Sequence, residues 1–210
     1  MEREIQALEI NNTWEIKKPD GSLDKYKTRL VAKGYNQIEG QHYYDSFSLV
    51  AKSVTVRIVL ALATPSGGLL HQMDINNAFL HGFLDEEICM TFPEGYKEEE
   101  KPKVCKLTRS LYELKQASKQ WNIKFTSKIT EYGFRQSHHD SCLFIYMSGK
   151  VFLILVVYVD DILLIGTSEE EMIALKEFLH KQFTIKDLGL AKFFLGNEIA
   201  RSRRGMFFTQ

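Results

Sequence analysis

The chain has little cysteine, no surplus of either charge and no long unbroken apolar run, and each shortage excludes a class of protein. Its three cysteines, Cys89, Cys105 and Cys142, stand far apart with no CxxC pair. That argues against a zinc site and a disulfide framework and points to a reducing compartment. Lys plus Arg number 27 and Asp plus Glu number 27, so any nucleic-acid partner must be held by local patches rather than by a global positive field. The longest apolar stretch, 151–165, carries two acids and is too short to cross a bilayer, and no charged-then-apolar leader opens the chain. No membrane partner is expected, and the chain is expected to be soluble.

What is present is enough for an ordinary core: 210 residues, 44% of them hydrophobic, suit one domain or two small subdomains. Residues 2–9 suggest a short helix, and turn residues surround a brief strand candidate at Trp14. From Lys25 to Lys33 the pattern alternates with period two, gathering Lys27, Arg29 and Lys33 on one strand face that Gly34 ends. Helical spacing predicts a helix from Val54 to Ala63, and the residues from Pro65 to Gly68 break it before an apolar strand from Leu69 to Ile75 that contains Asp74. Leu107, Leu111, Leu114, Ala117, Trp121, Phe125 and Ile129 form one stripe, which predicts a long amphipathic helix against a sheet. Val151–Val159 and Ile162–Gly166 are rich in β-branched residues and read as a central hairpin with Asp160-Asp161 at its tip. Ser168 with Glu171 has the spacing of a capping box, and Met172, Leu175 and Leu179 would be the buried face of the helix that follows.

A strand carrying Asp74 and a hairpin tipped by Asp160 and Asp161 could bring three carboxylates to one sheet edge, a hard-oxygen donor set suited to Mg²⁺. Two such ions about 4 Å apart activate an attacking oxygen and stabilise a leaving one. Asp is also common in tight turns, so the pair alone could be an ordinary hairpin tip. Two features favour a cation: no Gly follows either acid, and the flanking apolar strands pull both acids inward. Lys27, Arg29 and Lys33 could grip a triphosphate or simply line a solvated strand edge. Phe79, five residues beyond Asp74, could pack beside a sugar, though its spacing equally fits core. His138, His139, Asp140 and Cys142 are assigned no metal role, because adjacent strand histidines point to opposite faces. The charge runs 98–103 and 201–204 read as solvated loops, the basic one able to touch a nucleic-acid backbone.

Several segments together carry a specific resemblance: Asn11 to Glu15, YKTRLVAKG from Tyr26 to Gly34, HQMDINNAFLHG from His71 to Gly82, Tyr158-Val159-Asp160-Asp161, Lys186 to Gly189, and Phe194 to Gly196. On these the chain resembles, nearly end to end, the reverse transcriptase of Ty1/copia-type retrotransposons. The resemblance implies an α+β polymerase palm, an antiparallel sheet backed by helices, with a partial fingers subdomain and the thumb largely absent. The divisions expected are fingers over 1–53, palm with part of the fingers over 54–185, and the end of the palm and start of the thumb over 186–210. It implies an RNA-directed DNA polymerase in which Asp74, Asp160 and Asp161 are catalytic and bind two Mg²⁺ ions, or Mn²⁺ in their place. Lys27, Arg29, Phe79 as sugar gate, and Gln116 would line the nucleotide site. The partners would be an RNA or DNA template with its primer and deoxynucleoside triphosphates, in an intracellular setting, cytoplasmic or nuclear.

Three departures from the family pattern matter. Ile16 runs straight into Lys17 where the family carries a further fingers strand, which implies a deletion near 16–17. Leu111 to Trp121 reads LYELKQASKQW where the family usually reads LYGLKQAPRAW, so Glu113, Ser118 and Lys119 replace Gly, Pro and Arg. Met1 aligns inside a polyprotein and Gln210 falls before most of a thumb, the pattern of a truncated copy. Two readings therefore stand, an active polymerase domain and a catalytically silent remnant that keeps the fold and binds nucleic acid weakly at most. A metal-dependent phosphohydrolase would need a general base that the scattered histidines do not supply.

Overall fold

The β-branched run ending at Tyr158 occupies the middle of the sheet, as residues able to pack on both faces should. A computed structural model describes residues 31–46, 50–63, 68–92, 104–202 and 205–209. The predicted helix at 2–9, the strand near Trp14 and most of the basic strand from Lys25 lie outside them. The fold is α+β, and among the described residues there are three α-helices, α1 (Ser53–Ala63), α2 (Ala117–Tyr132) and α3 (Glu169–Gln182). A six-stranded antiparallel sheet is built from β1 (Leu69–Ile75), β4 (Arg135–Gln136), β5 (Leu143–Ser148), β6 (Val151–Tyr158), β7 (Asp161–Gly166) and β8 (Ile185–Leu190), in the order β4-β5-β6-β7-β1-β8. Beside it lie a ribbon of β2 (Phe83–Thr91) with β3 (Val104–Arg109) and a small sheet of β9 (Phe193–Phe194), β10 (Asn197–Ser202) and β11 (Gly205–Thr209).

One core joins helices to sheet. Trp121, Phe125 and Ile129 of α2 and Met172, Leu175 and Leu179 of α3 are buried with Met73, Leu155, Val157 and Ile162 of the central strands. Burying a side chain of this size is worth about 1.5–3 kcal/mol, so the apolar face of each helix fixes where that helix lies. The predicted cap on α3 is present: Ser168 Oγ accepts from the Glu171 amide at 3.3 Å. The helix α1 is capped from a distance. The Asp140 carboxylate accepts from the Lys52 amide at 3.4 Å and from the Thr55 hydroxyl, and its second oxygen accepts from the Cys142 amide at 3.0 Å. Burial pushes the Asp140 carboxyl up, but these hydrogen bonds outweigh it and hold the group below the usual carboxylate value. His138 and His139 lie in an exposed bend, not a strand, so the alternation used to separate them does not apply. Burial pushes the neighbouring Cys142 thiol up to about 12.

Two expectations are corrected. The stripe from Leu107 to Ile129 is not one helix: Leu107 belongs to β3, Leu111 and Leu114 lie in the connection, and α2 starts at Ala117. Those three leucines instead pack in a second small cluster with Ala32, Ala117, Leu84 and Ile88. The helix cannot extend backwards because Glu113 has φ +70°, outside the right-handed helical region. The hairpin tip is also shifted by one residue. β6 ends at Tyr158 and β7 begins at Asp161, so Val159 and Asp160 form the loop and Asp161 is already paired with Tyr158.

Candidate active site

Strand register brings the acids together. Asp161 pairs with Asp74 across β7 and β1, and with Tyr158 across β7 and β6; Asp74 in turn pairs with Lys186 on β8. Directly paired residues share a face, so Tyr158, Asp161, Asp74 and Lys186 form one row across the sheet. Asp160 stands beside that row in the hairpin loop, where its carbonyl accepts from the Ile75 amide at 2.9 Å. All three acids are partly buried.

The electrostatics of the row are unfavourable to the negative charge of Asp161. Burial raises the Asp161 carboxyl above its ordinary value, the Asp160 charge raises it further, and Asp74 adds a smaller push. A hydrogen bond from Gln72 opposes these effects. Gln72 lies two residues before Asp74 in β1, hence on the same face. A partly buried carboxyl raised by burial and by neighbouring acids, as Asp161 is, belongs to a donor set suited to a hard divalent cation. Among the described residues, no three His, Cys, Asp or Glu side chains are already drawn together as a ligand shell, so the fit lies in the donor chemistry and in the shared edge.

The loop that carries Asp160 has an unusual backbone. Val159 has φ +57° and Asp160 does not share the positive sign, the pattern of a type II′ turn, whose first central position normally holds Gly. A β-branched residue there is strained. The indole Nε1 of Trp121 on α2 donates to the Val159 carbonyl at 2.7 Å. That indole is buried among Phe125, Phe183 and His81, at ring distances of 5.4, 5.2 and 6.0 Å.

Phe79 lies just beyond β1, in the 3₁₀ turn Ala78–His81 that Asn77 introduces at φ +54°. Its ring is partly buried and meets Tyr112 edge-on at 5.1 Å, and its carbonyl accepts from Ser110 Oγ and from the Gly82 amide. A Cβ at Gly82 would stand 2.7 Å from Ser110 Oγ and 2.9 Å from the backbone of Gln120, so only glycine closes this turn. Gln116, 1% exposed, precedes α2. Its side-chain Oε1 accepts from Gln37 Nε2 at 2.9 Å and its Nε2 donates to the His42 carbonyl at 3.2 Å, which ties the segment 37–42 to the start of that helix. Lys27 and Arg29 lie outside the described residues. The described end of their segment is anchored by the Ala32 amide, which donates to the Tyr112 carbonyl at 2.9 Å. Gly34 comes so close to the Glu113 carbonyl that a Cβ would stand 1.8 Å from it.

Three residues here were not singled out in the sequence as site residues. Gln72 was accessible through its i, i+2 relation to Asp74, and Lys186 required knowing that β8 pairs with β1. Trp121 carried no local signal beyond its place in an apolar stripe.

Residues 3–210 match the family described as reverse transcriptase (RNA-dependent DNA polymerase). Over its whole length the chain is 37% identical to the retrovirus-related Pol polyprotein from transposon RE1 of Arabidopsis thaliana, of which it spans 16%. It is 38% identical, over 97% of its length, to the corresponding polyprotein from transposon TNT 1-94 of Nicotiana tabacum, spanning 17% of it. Over 90% of its length it is 28% identical to the transposon Ty1-DR4 Gag-Pol polyprotein of Saccharomyces cerevisiae, spanning 12% of that protein. The chain thus covers a small fraction of the curated relatives it matches, and no solved structure matches it.

Proposed function

Because the chain belongs to the reverse transcriptase (RNA-dependent DNA polymerase) family, within the Ty1/copia type of retrotransposon Pol polyproteins, we propose that it extends a primer on an RNA or DNA template from deoxynucleoside triphosphates. The observation that carries this reading is the register that sets Asp161 opposite Asp74 with Asp160 in the adjoining loop. On this reading the six-stranded sheet with α2 and α3 is the palm, residues 1–53 are a partial fingers subdomain shortened near 16–17, and 186–210 lead towards a thumb. Among the described residues no helix is long and apolar enough to cross a membrane, and an intracellular site of action is part of the proposal.

Asp74, Asp160 and Asp161 are the residues that would hold two Mg²⁺ ions, or Mn²⁺; bound there, such ions supply the positive charge that activates an attacking oxygen and stabilises a leaving one. The primer 3′-oxygen attacks the α-phosphorus of the incoming nucleotide, and the bond to pyrophosphate breaks. The protein's own part is positioning. Gln72 donates to Asp161 and favours its ionised form. Phe79 sets its ring beside the sugar, and Lys27 and Arg29 neutralise the triphosphate by charge-assisted hydrogen bonds. Gln116 contributes to the nucleotide site through the segment 37–42 that it holds. Primer extension by the purified domain tests the proposal, and Asp160→Asn is expected to lower kcat by at least about 100-fold, the scale of losing one preorganised electrostatic group.

A second reading, a catalytically silent domain that keeps the fold and binds nucleic acid weakly at most, is supported by Glu113. Glutamate occupies a left-handed backbone position there, at a cost of about 1–2 kcal/mol, where glycine would carry none. Wild-type protein that extends no primer with either Mg²⁺ or Mn²⁺ would decide for this reading.

A further inference from the structure

A type II′ turn has a close competitor, since rotating the peptide between its two central residues changes the turn type without unpairing the strands. In the Val159-Asp160 loop that rotation would swing the Val159 carbonyl to the opposite side and turn the Cα–Cβ bond of Asp160. The rotation changes ψ of Val159 and φ of Asp160 and leaves Val159 at positive φ in either turn, so the choice between the two falls to the contacts made by the loop carbonyls. Two contacts reach the loop carbonyls. The Ile75 amide of β1 holds Asp160 O at 2.9 Å, and the Trp121 indole of α2 holds Val159 O at 2.7 Å. With both carbonyls fixed, both peptide planes are fixed, and so is the direction in which the Asp160 carboxylate leaves the backbone.

Trp121 is itself closely packed. It is 1% exposed and wedged by Phe125, Phe183 and His81, so its N–H is presented at one place only. His81 lies in the motif segment from His71 to Gly82 that contains Asp74, and through the indole it is linked to the loop that bears Asp160.

We propose that Trp121 is a positioning residue that selects the turn conformation of Val159-Asp160 and thereby holds the Asp160 carboxylate in its cation-binding direction. The inference rests on the reading of Asp74, Asp160 and Asp161 as a divalent-cation site. Trp121→Phe keeps a buried aromatic ring but removes the donor.

Mn²⁺ affinity is measured by electron paramagnetic resonance for wild type, Trp121→Phe and Asp160→Asn, with urea unfolding in parallel. Trp121→Phe is expected to weaken Mn²⁺ binding by about tenfold, the factor carried by one hydrogen bond of about 1.4 kcal/mol. Equal Mn²⁺ affinity of wild type and Trp121→Phe overturns the inference while leaving the cation site standing. Wild-type protein that binds no Mn²⁺, or binds it undiminished after Asp160→Asn, overturns the proposed function and this inference with it. Should Trp121→Phe not fold, the indole N–H resonance of Trp121 in wild type decides: protection from exchange and a shift on adding Mg²⁺ are expected, and exchange at solvent rates overturns the proposal.

Discussion

At the scale of single residues, the strongest constraint is that Asp161 is ionised at some cost to the fold. Burial first, then the Asp160 charge, raise its carboxyl above 3.8. A carboxyl whose folded value is raised binds its proton more tightly in the native state, so stability falls as pH rises from the unfolded value through the folded one, and the penalty is complete above both. Asp161→Asn removes this penalty. Its Tm, measured without divalent cations, is expected to exceed that of wild type at pH 7, with the difference shrinking as pH is lowered towards 3.8; a variant less stable at pH 7 would contradict the account. Glu113 makes the complementary case in the backbone. Its side chain is exposed and its φ is +70°, so Glu113→Gly relieves strain of about 1–2 kcal/mol, set against about 0.5–1 kcal/mol of extra chain entropy lost by glycine on folding. A net gain of between zero and about 1.5 kcal/mol in urea unfolding is expected. The sequence marks Glu113 only as standing where the family usually has glycine. The structure gives a physical reason for glycine there, a left-handed residue whose carbonyl lies against Gly34.

Elements were legible in proportion to how local their causes are. The helix α3 follows from Ser168, Glu171 and the Met172-Leu175-Leu179 face, all within twelve residues, and the structure has each of them in place. The strand β1 runs from Leu69 to Ile75 as its apolar pattern and the preceding Pro-Ser-Gly-Gly break indicate. The start of α2 is not set within the stripe: Glu113, which precedes it, is left-handed and lies against Gly34, far away in the chain. The one-residue shift at the hairpin tip has a similar origin: Asp161 becomes a strand residue by pairing with Asp74 as well as Tyr158. The cap on α1 was equally hidden, since its acceptor comes from Asp140. That carboxyl lies below its ordinary value, so the cap stabilises the fold above about pH 3.8 and is lost as pH falls through the depressed folded value. Asp140→Ala leaves the Lys52 and Cys142 amides without their acceptor and is expected to cost about 1–3 kcal/mol in urea unfolding at pH 7. Asp140→Asn, which keeps one acceptor oxygen, is expected to cost less; equal stability of Asp140→Ala and wild type would show that the cap contributes nothing.

For the whole molecule, the sheet, the helices and the loop converge on one edge that Asp161 and Asp74 share, with Asp160 in the adjoining loop and a neutral overall charge behind them. The 27 basic and 27 acidic residues give no net field to draw in a cation, so attraction must arise locally from the row of Asp161 and Asp74 and from Asp160 beside it. A cation bound there neutralises the repulsion that raises the Asp161 carboxyl, and a ligand that binds only the folded state adds stability by mass action. At a concentration 100 times its Kd the gain is about 2.7 kcal/mol, which for a chain of this length corresponds to a rise in Tm of about 5–10 °C. Thermal unfolding of wild type with increasing Mg²⁺ or Mn²⁺ at pH 7 is therefore expected to show such a rise, and Asp161→Asn, although more stable without the cation, is expected to show little. The order of the two proteins should then invert as the cation is added. An inversion of this kind cannot come from general salt screening, which would move both in the same direction, and a matched series with monovalent salt provides the control. Parallel curves for wild type and Asp161→Asn would mean that the carboxylate row, however closely its register gathers it, does not act as a cation site.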